Sequence, residues 1–148
     1  MSSRVIEYRP PRIAAALLLV AATFHLLAPI HLFASLIVGV ALGTTGFSVM
    51  MWAWWQFQQN EVAVCPTEVT ERLITDGVYR FTRNPMCLGM LMILAGIAAF
   101  VGTLPFYIAV IALFTIIDRS FCPYEENKLA SAFGRDYKTY KSQVRRWI

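Results

Sequence analysis

Charged residues are scarce in this sequence of 148 residues, and two long stretches contain none. Asp, Glu, Lys and Arg make up 15% of the chain, against roughly a quarter in soluble domains. None of the four occurs in residues 13–60 or in residues 84–117. A soluble domain of this size has too small an interior to bury both stretches. The composition therefore argues against a soluble protein and predicts an integral membrane protein.

Cysteine and histidine are also few, which limits disulfide and metal chemistry. Cys65, Cys87 and Cys122 form neither a CxxC pattern nor an even set, so we interpret them as reduced thiols. His25 and His31 are remote in sequence from any carboxylate, and we predict packing roles for them and no metal site. The basic residues flank the apolar stretches instead of forming a stripe, so we expect no nucleic-acid partner.

Each uncharged stretch fits a pair of membrane-spanning helices. A helix needs about 20 mainly apolar residues to cross a bilayer. Pro29 divides the first stretch, and Gly102 and Pro105 divide the second. We predict an all-α, multi-pass membrane protein with four transmembrane helices and a C-terminal amphipathic cytoplasmic helix. The predicted spans are residues 12–28, 31–57, 85–101 and 105–121 of one domain (1–148), with a cytoplasmic loop at 58–84 and a cytoplasmic tail at 122–148.

The distribution of basic residues predicts the orientation. Of the thirteen Lys and Arg residues, three precede the first helix, three lie between helices two and three, and seven follow from Arg119 onward. Cytoplasmic loops carry the excess of Lys and Arg. Both termini and the central loop are therefore predicted to be cytoplasmic. The compact chain favours a prokaryotic inner (cytoplasmic) membrane, with membrane lipids as partners.

The segment ERLITDGVYRFTRNPMCLGM (71–90) places polar groups where the third helix begins. Pro85 suits the first position of a helix. The first amides of a helix lack intrahelical partners and carry partial positive charge, so with Arg83 nearby they can seat a carboxylate or phosphate. Gly89 either admits a ligand to the helix backbone or permits close helix packing, and the residues leave both readings open.

The tail, 122–148, has the pattern of an amphipathic helix that we expect on the membrane surface, broken at Gly134. Its apolar stripe consists of Leu129, Phe133, Tyr137, Tyr140, Val144 and Trp147. Glu125 and Glu126 stand side by side at its start, where adjacent carboxylates repel each other. Either they face solvent near the helix amino terminus, or they hold a ligand.

Two of these segments resemble a known family. LITDGVYRFTRNPMCLG (73–89) and EENKLASAFGRDYKTYKSQVRRWI (125–148) are similar to the motifs of the integral-membrane methyltransferases that include isoprenylcysteine carboxyl methyltransferase and the phospholipid N-methyltransferases. That pattern runs G-x-Y, R-[HN]-P-x-Y-x-G, then E-E-x-x-L-x-x-x-F-G-x-x-Y-x-x-Y and V-x-R. The resemblance covers about half the chain. It implies S-adenosylmethionine as the cofactor, bound at the cytoplasmic ends of the last two helices.

The resemblance also implies site residues. The cofactor-binding positions carried over are Leu73, Ile74, Tyr79, Arg83, Asn84, Pro85, Met86, Cys87, Gly89 and Glu125. The candidate catalytic residues are Glu126, Tyr79 and Arg119. Glu126 or Tyr79 would assist proton loss from an amine acceptor, and Arg119 would read an acceptor carboxylate.

Three departures from the family pattern bear on the acceptor. Asn84 replaces a histidine, Cys87 replaces a tyrosine of the presumed donor pocket, and Phe121 replaces an arginine that reads the substrate carboxylate in the isoprenylcysteine enzymes. The acceptor class thus remains open among an isoprenylcysteine carboxylate, a phospholipid amine and a small thiol. The oligomeric state is open as well.

Two other functions remain as alternatives. One is a non-enzymatic four-helix membrane protein, such as a transporter subunit, a sensor or an assembly factor. The other is a membrane reductase that uses a nicotinamide cofactor, for which the sequence lacks a diphosphate-binding glycine pattern.

Overall fold

A computed structural model describes residues 10–59 and 72–148, and these residues are mostly helical. The elements are α1 (Pro10–Leu27), α2 (Leu36–Gln59), a 3₁₀ helix (Gly77–Arg80), α3 (Pro85–Val101), α4 (Leu104–Ile116), a π-helical turn (Ile117–Phe121) and α5 (Cys122–Gln143). The predicted all-α class is confirmed for the described residues. The amino-terminal nine residues and residues 60–71 of the predicted 58–84 loop, including Cys65, lie outside them.

Three helices are long and apolar enough to cross a membrane, within the described ranges. They are α1, α2 and the helical stretch Leu104–Gln143, which comprises α4, the π-helical turn and α5. The third predicted span, α3, is apolar but has 17 residues. A membrane-spanning protein is therefore supported, while the number of four spans stays a prediction.

The bounds of α3 agree with the predicted residues 85–101 because both ends carry strong local signals. Pro85 occupies the first turn, where its missing N–H is not needed. Gly102 ends the helix with φ of 72°, a left-handed conformation that favours glycine. The next helix, α4, begins two residues later.

The predicted start of α2 at residue 31 was wrong, since the helix begins at Leu36. The preceding chain is extended and pairs with the α3–α4 connection. Leu32 N donates to Gly102 O at 2.7 Å, and Leu104 N donates to Ile30 O at 2.9 Å. These tertiary hydrogen bonds satisfy backbone groups that a longer helix would have paired internally.

Glycines bring α2 and α3 into close contact. An added Cβ at Gly46 would lie 2.6 Å from Gly89 O, and one at Gly89 would lie 2.6 Å from Gly46 O. Gly39 of α2 and Gly96 of α3 form a second close contact of the same kind. Small residues allow helix backbones to approach closely. Close packing therefore accounts for Gly89.

The bundle continues from α3 to α4 and from α4 to α1. Large apolar side chains remain exposed on the outside, among them Leu26 and Ile37, both 81% exposed. A soluble protein rarely leaves so many exposed, whereas lipid would cover them. His25 Nδ1 lies 3.2 Å from Thr103 Oγ1, and its ring packs edge-on to Phe106, which agrees with a packing role for this histidine.

The tail helix α5 begins at Cys122 and breaks at Gly134, as predicted, where φ is 50° and ψ is −111°. Beyond Gly134 the chain turns back toward the start of α5, and this brings Lys141 to Glu126 and Arg146 to Asp118. Most of the apolar stripe packs against the protein itself: Leu129, Phe133, Tyr137, Tyr140 and Val144 cluster with Val78 and Tyr79. These five residues therefore pack inside the protein, whereas the sequence analysis expected the stripe to lie on the membrane surface.

The glycine contact yields a stability prediction. Gly46→Ala should lower the free energy of unfolding by about 1–3 kcal/mol, because the new methyl group would push against the α3 backbone. Gly43→Ala, on the same helix, is the control, since an added Cβ there meets nothing within 4 Å. Thermal unfolding of both variants in one detergent measures the difference. Equal stability of the two would contradict the packing.

Candidate functional site

The loop before α3 is fixed to the end of α2 by Gln56. Its Nε2 donates to Asp76 O at 3.0 Å, and its Oε1 accepts from Val78 N at 3.2 Å. Gly77 lies against this side chain with φ of 58°, and a Cβ at Gly77 would overlap Gln56. A glycine is therefore required at this turn. The 3₁₀ helix that follows carries Tyr79 into the interior.

Tyr79 lies buried between α2 and α5. Its ring packs edge-on to Phe57 with the centroids 5.8 Å apart. Its carbonyl accepts a hydrogen bond of 2.7 Å from the Tyr140 hydroxyl. Burial, and then the nearby charge of Glu125, raise the pKa of the Tyr79 hydroxyl. Tyr79 is therefore neutral at physiological pH.

The residues just before α3 are tied to the end of the chain. Thr82 Oγ1 donates to Arg146 O at 2.8 Å, and Arg83 N donates to Arg145 O at 3.1 Å. Thr82 Oγ1 also accepts from Asn84 N at 3.2 Å. The start of α3 is thus held from the side of the carboxyl terminus.

Glu126 is the centre of a buried ion-pair network. Its side chain is 7% exposed and contacts Arg83 at 3.0 Å, Lys141 at 2.8 Å and Arg146 at 2.8 Å. Burial alone would raise the pKa of Glu126, but the hydrogen bonds from Arg146 and Lys141 and the charge of Arg83 outweigh it and hold the pKa at about 2. Such a carboxylate accepts a proton poorly at neutral pH, so the geometry favours an anchoring role for Glu126 over that of a base.

Glu125 has the opposite environment. Among the described residues, none donates a hydrogen bond to its partly buried carboxylate. Burial raises the pKa of Glu125 to about 7, although the charge of Lys128 lowers it in part. The carboxylate acts electrostatically on the Tyr79 hydroxyl and the Cys87 thiol, so it lies within electrostatic range of the start of α3. A carboxylate in this position is costly unless a cation or hydrogen-bond donors meet it.

Two buried donors near this point also have no partner in the described structure. They are Nε of Arg83 and Nδ2 of Asn84. The Arg83 side chain is 9% exposed, and Asn84 is equally buried. Buried polar groups are nearly always hydrogen-bonded, so unpaired ones indicate an acceptor supplied from elsewhere. The start of α3 thus offers donors, and Glu125 offers an acceptor.

The structure brings most of the predicted cofactor-binding residues together. Leu73, Ile74 and Met86 pack in the same cluster as Tyr79, while Cys87 belongs to a neighbouring cluster with Cys122. Pro85 is buried at the start of α3. Gly89 faces α2, as described above.

Arg119 stands apart from this group. Its side chain is 83% exposed, and its nearest acid is Asp118 at 4.0 Å. Phe121, two residues on, packs against the cluster that contains Cys87. The described structure therefore places an aromatic ring, and not a guanidinium group, next to that cluster.

Sequence reasoning assigned no role in the site to four residues that hold it together, Thr82, Asp118, Tyr140 and Arg146, and it placed Tyr140 only in the apolar stripe of the tail. Tyr140 and Arg146 occupy the second tyrosine and the arginine of the Y-x-x-Y and V-x-R motifs, so the motif itself was a usable signal. Thr82 and Asp118 carried no such signal, because their partners are distant in sequence.

Comparison with known proteins identifies the family. The phospholipid methyltransferase family matches residues 34–136, more than two thirds of the chain. The chain belongs to this family. An uncharacterized protein of Haemophilus influenzae is 35% identical over 63 residues, which make up 43% of this chain and all of that protein. No solved structure matches. Membership implies a membrane methyltransferase, and it confirms the resemblance found from the motifs, while the individual site residues stay predictions.

The two glutamates should respond differently to the same substitution. Glu126→Gln is expected to lower the free energy of unfolding by about 3 kcal/mol, since it leaves the buried Arg83 without its anion. Glu125→Gln should leave stability unchanged or raise it, because it removes a carboxylate that lacks a donor. Thermal unfolding at pH 8 compares them. A larger loss for Glu125→Gln than for Glu126→Gln would contradict the assigned environments.

Proposed function

We propose that this protein is an S-adenosylmethionine-dependent methyltransferase that binds its donor between Glu125 and the start of α3. The proposal rests on buried hydrogen-bond donors and an acceptor for which the described structure supplies no partner. Within residues 10–59 and 72–148, no donor meets the Glu125 carboxylate, and no acceptor meets the buried donors Nε of Arg83 and Nδ2 of Asn84. A zwitterionic ligand would satisfy both sides at once.

The chemistry of S-adenosylmethionine fits these residues. Its ammonium group and ribose hydroxyls match the Glu125 carboxylate. Its own carboxylate matches the Arg83 and Asn84 donors and the unpaired amides at the amino terminus of α3. Leu73, Ile74 and Met86 supply apolar surface for the nucleoside.

When bound, S-adenosylmethionine supplies an electrophilic methyl group for in-line displacement by a nucleophile. The chain contributes orientation, which is worth roughly 7–11 kcal/mol in favourable cases, and exclusion of water by the packed tail helix. Glu126 is bound to three cations, so we assign it to positioning. A thiolate or carboxylate acceptor needs no base. An amine acceptor reacts as the free base: the neutral Tyr79 hydroxyl can orient it through a hydrogen bond, and the proton that the amine loses passes to solvent.

The acceptor that fits best has an amine or thiol nucleophile and partitions into the membrane. The exposed side chain of Arg119 and the apolar packing of Phe121 provide no described group that reads an acceptor carboxylate. The alternative of an isoprenylcysteine carboxylate is therefore less well supported. A phospholipid amine also agrees with the description of the matched family.

The proposed setting is the prokaryotic inner membrane, with four spans and both termini in the cytoplasm. This topology rests on the basic residues that flank the apolar helices. It places the donor site at the cytoplasmic surface, where a water-soluble donor is available. The acceptor would then enter from the bilayer.

Donor binding tests the proposal directly. Glu125→Gln should weaken binding of S-adenosylhomocysteine by about 10–100-fold, because a charge-assisted hydrogen bond contributes about 1.5–3 kcal/mol. Asp136→Asn, an exposed residue further along α5, removes the same charge and should bind as the parent does. Calorimetry on detergent-purified protein gives both values. Equal affinity of Glu125→Gln and the parent would refute the role of Glu125, and absence of binding by the parent would favour the non-enzymatic alternative.

The raised pKa of Glu125 predicts a pH dependence. Below about pH 7 the carboxyl group is protonated and can no longer pair with an ammonium group. Affinity for S-adenosylhomocysteine should therefore fall as the pH decreases from 7.5 to 5.5, by up to about tenfold for each pH unit below the pKa. In Glu125→Gln the same titration should be nearly flat. A parent curve as flat as that of the variant would count against the assignment.

A further inference from the structure

The last residues of the chain form a clasp, defined here as residues 144–148, which joins two parts of the candidate site. Its backbone accepts hydrogen bonds from the segment before α3. Thr82 Oγ1 donates to Arg146 O at 2.8 Å, and Arg83 N donates to Arg145 O at 3.1 Å. These bonds fix the segment that carries the unpaired donors of Arg83 and Asn84.

The Arg146 side chain holds the other part of the site. Its Nε donates to Glu126 Oε1 at 2.8 Å, and its Nη1 donates to Asp118 Oδ1 at 3.0 Å. Trp147 Nε1 donates to the same Asp118 oxygen at 3.0 Å. Arg146 thus bridges two acids that are eight positions apart along the α4–α5 helix, one within the π-helical turn and one after it.

The π-helical turn decides which glutamate faces the donor site. Asp118 lies within the turn (Ile117–Phe121), and Cys122 N closes it on Ile117 O. Successive residues of a helix differ in direction by about 100°, so the extra residue of a π turn rotates everything after it by about this angle. With the turn in place, Glu126 meets its three cations, and the charge of Glu125 acts on the side of Tyr79 and Cys87.

We propose that Arg146 is a positioning residue of the donor site. Its side chain donates hydrogen bonds to Asp118 and Glu126, and its backbone carbonyl accepts one from Thr82. These bonds fix the orientation of α5 and thereby the position of Glu125 relative to the start of α3. This inference rests on the donor site proposed above. Arg146 acts through Glu126 and Asp118, and its side chain makes no described contact with Glu125.

Two adjacent arginines make the test specific. Arg146→Met removes the bridge between the two acids. Arg145→Met removes an exposed side chain of equal charge, and it keeps the backbone carbonyl that accepts from Arg83 N. Arg146→Met should raise the Kd for S-adenosylhomocysteine at least tenfold, and Arg145→Met should leave it unchanged. Arg146→Lys should restore only part of the affinity that Arg146→Met loses. A lysine keeps the positive charge, but its single ammonium group cannot reproduce the guanidinium fork that spans both acids. Equal Kd values for Arg146→Met and Arg145→Met would overturn the proposal.

A double-mutant cycle separates positioning from general stabilisation. If Arg146 acts by placing Glu125, then Glu125→Gln in the Arg146→Met background should cost much less affinity than in the parent. Residues that act independently should instead give additive losses, within about twofold in Kd. Additive losses would overturn the proposal, even if Arg146→Met also lowers the unfolding temperature.

Asp118→Asn provides a second route should Arg146→Met not fold. This substitution keeps the shape of the side chain and weakens its contacts with Arg146 and Trp147. It should raise Kd severalfold and show the same non-additivity with Glu125→Gln, and unchanged affinity would contradict the inference. Failure of the parent to bind S-adenosylhomocysteine would instead contradict the proposed function, so the two failures are distinguishable.

Discussion

The buried carboxylate of Glu126 is the contact on which the arrangement of the site depends. It draws cations from three separate segments: Arg83 before α3, Lys141 after the break at Gly134, and Arg146 in the clasp. A single buried carboxylate would be costly, but three donors share its two oxygens and offset that cost. Loss of any one segment would remove one of the charges that balance this buried carboxylate, so the three segments stabilise one another's positions.

Two adjacent glutamates with the same chemistry acquire different roles because the helix points them in different directions. Glu126 is paired with three cations and its pKa falls to about 2, while Glu125 is partly buried with no donor among the described residues and its pKa rises to about 7. Paired groups of this kind, pushed apart in pKa by their surroundings, mark functional sites more often than surface charges do. The ion pairs of Glu126 fix this part of α5, and they thereby hold the Glu125 carboxylate in a position where its partial burial is energetically unfavourable.

Local signals were sufficient for some elements and insufficient for others. The bounds of α3 and the break at Gly134 were predictable because proline and left-handed glycine act on their own residues. The late start of α2 depends on hydrogen bonds with the α3–α4 connection, which no local pattern contains. The motifs indicated Tyr79 and Glu125, but they did not reveal that Gly89 faces α2 or that Arg119 faces away from the site.

The position of the candidate site agrees with the two solvents that the proposed reaction has to serve. A charged nucleoside donor is confined to water, whereas a lipidic acceptor is confined to the bilayer, so the two can meet only where an apolar helix bundle ends. In this chain the polar groups are found at such an end: Arg83 and Asn84 at the start of α3, and Glu125 shortly after the apolar part of α4. The same boundary explains why the acids and cations pair with one another so extensively. Next to hydrocarbon an unpaired charge is costly, so a carboxylate such as Glu125, which has no donor among the described residues, indicates a functional role.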